Sequence, residues 1–183
     1  MNFENLNFRM ATKKDIKNIM KIEEEAFEKD VCEKEEVFLE RIDIFKDGFL
    51  VIEFEGEIIG YISSEIWSYK ENINETDFKL GHSIKDLHNL KGQELYISSF
   101  GILKKYRGSG LGKYIFNSFL NYIHKKFENI NSTILLVSTQ WQNAIRIYKK
   151  IGFIEIILIN DFFTYENSEK NIDGIVMRKI LNN

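Results

Sequence analysis

The chain of 183 residues has no proline, one cysteine, three histidines and a net charge of only −3. Each scarcity removes a class of explanation. Without proline, no slow X–Pro isomerisation limits folding, and turns must be built from Gly, Asn, Asp and Ser. Cys32 alone cannot form an internal disulfide or a thiol-based zinc site, and it reads as a helix-flanking residue rather than a nucleophile. So balanced a charge argues against a general nucleic-acid binder, which needs a broad basic surface to displace counterions. No apolar run approaches the ~20 residues that span a bilayer, and Met1 to Arg9 lacks the apolar core of a secretion signal. No membrane association is expected, and a cytoplasmic location is. A hydrophobic content of 44% suits one compact domain, 1–183, with a single core.

Periodicity supplies the elements. Leu6 to Met10 reads as a strand, and Thr12-Lys13-Lys14-Asp15 as a helix cap. Ile16, Ile19, Met20, Ile22, Ala26 and Phe27 then form a helical stripe. Glu23, Glu24 and Glu25 within it read as a solvated face, as charge runs usually are. A second helix is predicted from Glu33 to about Phe45. Phe49–Phe54 and Ile58–Ile62 around Gly56 predict an antiparallel hairpin. Trp67 to Lys91 is polar, carries His82 and His88, and is long enough to act as a lid or substrate wall. Strand, helix, strand, helix, strand from Tyr96 to about Ile159 implies parallel pairing in part of the sheet. Phe162, Phe163 and Tyr165 are expected to begin a polar loop, with Ile172 to Ile180 as the last strand.

One stretch organises the rest. Tyr96 to Leu103 is a strand, followed by the basic, glycine-rich turn Lys104-Lys105-Tyr106-Arg107-Gly108-Ser109-Gly110-Leu111-Gly112 and an amphipathic helix. Such a turn brings main-chain N–H groups and the positive end of a helix to one place, which suits an anion. It is not a Walker loop, because Gly112-Lys113 is followed by Tyr114 instead of Ser or Thr. Nor does Gly108-Ser109-Gly110-Leu111-Gly112-Lys113 have the spacing of a dinucleotide fingerprint. Lys104, Lys105 and Arg107 read as a small-anion cluster.

What the turn resembles is the Arg/Gln-x-x-Gly-x-Gly/Ala signature of the GNAT N-acetyltransferases, met by Arg107, Gly110 and Gly112. Arg9-x-Ala11-Thr12-x-x-Asp15, Ala144-x-x-x-Tyr148-x-x-x-Gly152-Phe153 and Asp173-Gly174-Ile175-Val176-Met177 are similar to further stretches of that family, in the right order. The resemblance implies an α/β fold, a mixed central sheet flanked by helices, and acetyl-CoA as co-substrate, with no metal. It implies that Arg107, Gly108, Ser109, Gly110, Leu111 and Gly112 take the pyrophosphate, and that the main chain of Phe100, Gly101 and Ile102 meets the pantetheine where the strand splays. Asn143 would contact the same arm, since Trp141 stands where the family often has Asn. Tyr148 would donate a proton to the departing thiolate, as a phenol protonated at neutral pH can.

The acceptor side stays open. Glu94, Tyr96 and Ser98 alternate onto one side of their strand, so each is a candidate base, acting through water. Glu65 on the preceding strand is another, and His82 and His88 have suitable intrinsic pKa values, although a loop histidine is more often solvated or capping. Glu65, Tyr96, Asp161 and Phe162 are the expected amine-binding groups. Asp161-Phe162-Phe163 falls where the bacterial ribosomal-protein N-terminal acetyltransferases carry a polar-aromatic-aromatic triplet, which favours a peptide amine. The 67–91 segment favours a small amine or polyamine instead. The expected protein is a monomer or homodimer. A non-catalytic acyl-CoA sensor would keep the loop but need no Tyr148, and an interaction module would need neither.

Overall fold

The computed structural model describes residues 3–166 and 171–181. Its strands are β1 (Asn7–Met10), β2 (Phe49–Phe54), β3 (Glu57–Trp67), β4 (Glu94–Ile102), β5 (Ser132–Ser138), β6 (Ile154–Phe163) and β7 (Ile172–Ile180). They form one seven-stranded sheet in the order β1-β2-β3-β4-β5-β7-β6. Helices α1 (Ile16–Ala26) and α2 (Glu35–Ile44) follow β1, a short α3 (Ile84–Leu87) precedes β4, and α4 (Leu111–Lys126) and α5 (Gln142–Lys150) flank β5 in the chain. Among the described residues no helix is long and apolar enough to cross a membrane.

Alternation along the strands divides the core in two. Leu50, Ile62, Ile66, Leu95 and Ile97 pack with Phe116, Phe119 and Ile123 of α4. Phe49, Val51 and Tyr61 face the other way, onto Ile16, Ile19 and Ile22 of α1 and Phe38 and Ile42 of α2. The entry to α1 is pinned by Asp15, whose carboxylate accepts two bonds from Arg9 at 2.7 and 2.8 Å and one from the Thr12 N–H at 2.8 Å. The β2–β3 turn puts Glu55 and Gly56 at φ 51° and 82°, the left-handed pair that a tight hairpin requires.

Parallel pairing occurs in part of the sheet as expected, and among the described residues it is confined to β4–β5, because β7 inserts between β5 and β6 and is antiparallel to both. One expectation needs correction. Phe162 and Phe163 do not begin a loop: β6 runs through Phe163, with an irregularity after Ile159 where Asp161 takes φ 55°. Residues 167–170 of the expected loop lie outside the described residues. Within the 67–91 segment Phe78, His82 and Ile84 are buried.

Candidate active site

β4 pairs with β3 from Glu94 to Ile102, but with β5 only from Glu94↔Ser132 to Ile97↔Leu135. Beyond Ile97 the parallel strands part, as the family resemblance implies. Ser98, Ser99, Phe100, Gly101 and Ile102 are therefore unpaired with β5, and Leu136–Ser138 on the opposite lip pair only with β7. Main-chain groups without a strand partner must bond something else, and an opening of this kind offers them to an extended ligand. Ser98 is the extra residue of a bulge at which Ser63↔Ser99 gives way to Ser64↔Ile97. Its hydroxyl donates to Ser63 Oγ at 3.0 Å. Gly101 is required by packing, since a Cβ there would lie 2.7 Å from the Tyr61 ring.

The glycine-rich turn lies at the end of this strand. Arg107 Nε donates to the Ile102 carbonyl at 2.7 Å, which ties the turn to β4. Gly110 caps α4 at φ 85° and ψ 0°, and Gly108 has φ 92°. A Cβ on either would meet nothing within 4 Å, so both leave open space outside the turn. The Leu111 side chain, by contrast, is fully buried among Ile52, Ile59, Ile102 and Ile115, and this anchors the helix start. The first N–H groups of α4 have no partner within the helix. Of the basic cluster, Lys105 is already engaged, because its Nζ donates to both Glu57 oxygens at 2.9 and 2.7 Å.

Tyr148, on the inner face of α5, is 9% exposed. Its ring packs on Phe116 at 5.1 Å, and Phe116 packs on Phe100 of the splayed strand at 5.7 Å. Burial pushes its phenol well above the usual tyrosine range, so it holds its proton at neutral pH. Asn143 is exposed on the first turn of α5. Trp141 caps that helix with its ring between Phe27 and Phe163, at 5.1 and 5.4 Å.

On the α1–α2 side, the two carboxylates expected to serve the amine are not free. Glu65 is 0% exposed and accepts from Trp67 Nε1 at 3.0 Å and from His82 Nε2 at 2.9 Å, with Arg41 Nε 3.3 Å away. Burial opposes its charge, but the His82 bond and the charges of His82 and Arg41 outweigh that and keep its pKa below the usual range. Glu94 is bound to Arg178 at 2.7 Å and to the Ser132 hydroxyl at 3.0 Å; burial raises its pKa against that pairing. Tyr96 is buried and stacked on Trp67 at 3.9 Å. His82 meets the Lys79 carbonyl through Nδ1 at 2.9 Å and Glu65 through Nε2, so both ring nitrogens act as donors. His88 accepts from the Ile66 N–H through Nδ1 at 3.1 Å. Asp161 is exposed, and its N–H donates to Asp173 Oδ1 at 2.9 Å.

Glu23 is the residue that the reading of a solvated run missed. It is 1% exposed. It accepts from the Tyr61 hydroxyl through Oε2 and from the Glu33 N–H through Oε1 at 2.9 Å, and Tyr61 Oη also lies 2.7 Å from Ser99 Oγ on the splayed strand. The signal was present in the sequence: Ile16, Ile19 and Glu23 fall on one face of a 3.6-residue helix.

The sequence pattern of the acetyltransferase (GNAT) family matches residues 16–153. The chain belongs to that family. It is an acetyl-CoA-dependent acetyltransferase, and the arrangement above fits the co-substrate: the splayed β4 edge suits the amides of a pantetheine arm, and the glycine cradle with its helix start suits a pyrophosphate. Among the described residues no group of three His, Cys, Asp or Glu side chains is placed to hold a metal ion. An N-alpha-acetyltransferase of Sulfurisphaera tokodaii is 27% identical over 129 residues, covering 69% of this chain and 68% of the relative. Among solved structures, Ard1 from Thermoplasma volcanium superposes with a TM-score of 0.75 at 20% identity, covering 98% of this GNAT chain and 99% of the other. Arabidopsis thaliana Naa50 in complex with the bisubstrate analogue CoA-Ac-MVNAL gives a TM-score of 0.69 at 21% identity, covering 96% and 98%.

Proposed function

We propose that this GNAT enzyme acetylates the N-terminal amine of a peptide by direct attack on the thioester within a ternary complex. The observation that carries the reading is the opening between β4 and β5 after Ile97, with polar side chains of Ser98 and Ser99 at its edge and the Arg107–Gly112 turn at its end. An extended co-substrate and an extended acceptor can then lie side by side, so that much of the rate comes from positioning. Support for a peptide comes from the relative named an N-alpha-acetyltransferase and from the peptide-like analogue bound to a protein of the same fold.

Acetyl-CoA supplies the activated acyl group and a leaving sulfur; the protein's own groups do the rest. Arg107, Gly108, Ser109, Gly110 and Gly112, with the main-chain N–H of Leu111, hold the pyrophosphate, while the main chain of Phe100, Gly101 and Ile102 aligns the arm and Asn143 lies beside it. Tyr148 holds the proton destined for the sulfur, which its burial favours. With Glu65 and Glu94 committed to ion pairs, Ser98 and Ser99 are the side chains of β4 best able to meet the amine, and Tyr96, Asp161 and Phe162 wall the acceptor. A small amine or polyamine is a second reading, favoured by the way the 67–91 segment packs His82 and Phe78 over Glu65 and Tyr96. Thiol release from acetyl-CoA across a panel of peptides, polyamines and arylalkylamines separates the two readings: the first requires peptides to be the best acceptors, and preference for a non-peptide amine overturns it.

A further inference from the structure

A buried carboxylate with no cation of its own needs an explanation, because apolar groups of the same size would serve stability better. Among the described residues Glu23 is such a group. Its partner Tyr61 belongs to the core cluster of Ile19, Ile22, Phe38 and Phe49. The charged and titratable groups nearby are Glu33 and Arg41 from the α2 side, Cys32, whose Sγ lies 3.8 Å from the Glu23 carbonyl, Glu24 on its own helix, and Tyr61 from β3. Arg41 is taken by Glu33 at 3.2 Å and Glu65 at 3.3 Å. The two bonds that Glu23 accepts therefore come from neutral donors, the Glu33 N–H and the Tyr61 hydroxyl.

Those bonds have a direction. Tyr61 donates inward to Glu23, so its oxygen is left to accept from Ser99 at 2.7 Å, and Ser99 in turn keeps its lone pairs for whatever approaches from outside. Ser99 is half-buried and lies two residues past the last β4–β5 pair, in the splayed segment. The row therefore runs from the opening to a carboxylate in the core.

We infer that Ser99, Tyr61 and Glu23 form a proton relay that takes the first proton from the acceptor ammonium. In this step Ser99 Oγ takes a proton from the ammonium and gives its own to Tyr61, and Tyr61 gives its own to Glu23. The neutral amine then forms the N–C bond as the C–S bond breaks. The second N–H proton replaces the one that Tyr148 passes to the sulfur. Glu23 afterwards returns its proton to solvent along the same row, so the net products are an amide, a thiol and one proton. Burial raises the Glu23 carboxyl to about 7 against the bonds from Tyr61 and Glu33, which suits a group that must exchange a proton near neutrality. Ser99 touches the substrate; Tyr61 and Glu23 are positioning residues that act through it.

The inference rests on the acetyltransferase reading but not on the peptide. The test uses the full chain with whichever amine the panel shows to be acetylated, and measures kcat/KM against pH. The wild type should lose activity below about pH 7, as protonation of Glu23 closes the relay. Glu23→Gln should lower kcat more than tenfold, flatten that acid limb, and leave the acetyl-CoA KM within about twofold, since nothing that binds the co-substrate has changed. Ser99→Ala, at the half-buried end, should give the same loss of kcat with unchanged thermal stability, and it decides the matter if Glu23→Gln does not fold. A folded Ser99→Ala enzyme with wild-type kcat and an unaltered acid limb overturns the relay, whatever the acceptor proves to be.

Discussion

Replacing Tyr148 by Phe separates chemistry from packing. The Tyr148 ring belongs to the core beneath β4, against Phe116 and Phe153 at 5.1 and 5.9 Å, and Phe preserves those contacts. The hydroxyl makes no hydrogen bond to the described residues, so its removal orphans no partner, and the cost in folding should stay below about 1 kcal/mol. Any contact that it makes with the co-substrate is worth about as much, on the order of fivefold in affinity. General acid catalysis contributes on the order of a hundredfold or more, about 2.7 kcal/mol of barrier. Steady-state thiol release should therefore show kcat down about a hundredfold, with the acetyl-CoA KM and the melting temperature nearly unchanged. A Tyr148→Phe enzyme with near-normal turnover would reduce Tyr148 to a core aromatic and refute this assignment.

Two further outcomes follow from the turn and from the start of α1. Gly110→Ala and Gly56→Ala both place a Cβ at positive φ, 85° and 82°, with nothing within 4 Å, so each should cost about 1–2 kcal/mol of stability. Only Gly110→Ala should weaken coenzyme A binding by calorimetry, and equal affinity in the two variants would remove the pyrophosphate from this turn. Bonds from Arg9 lower Asp15 to about 2 from 3.8, against the effect of burial. Its contribution of about 2 kcal/mol is thus present above pH 4 or so and lost as pH falls through about 2. Urea unfolding should show Arg9→Met less stable than wild type at about pH 6 and the two converging in acid, whereas a constant gap would contradict the coupling.

Much of this was legible in the sequence because periodicity and turn chemistry are local. The α1 stripe, the hairpin at Gly56, the strand–turn–helix from Tyr96 to Lys126 and the α5 stripe ending at Gly152 all appear near their expected bounds. The insertion of β7 between β5 and β6 was not legible, because strand order is a tertiary property that no short-range pattern records. Nor was the polar interior. Arg41, which no motif in the sequence singles out, shares the inward face of α2 with Phe38 and lies 1% exposed between Glu33 and Glu65. Glu65 and Glu94 were correctly assigned to strands, but their counter-charges come from α2, the 67–91 segment and β7, far away in the chain. A carboxylate in sequence carries no sign of whether it is free to serve a substrate.

The central claim is the transfer of acetyl to a peptide N-terminus, and mass spectrometry tests it most directly. The protein is incubated with acetyl-CoA and a peptide that carries a free α-amine and an internal lysine, beside the same peptide with its N-terminus blocked. The account predicts a single acetyl group on the α-amine of the first peptide and none on the second. Acetyl on the lysine of both, or on neither peptide while a polyamine in the same mixture is modified, would contradict it.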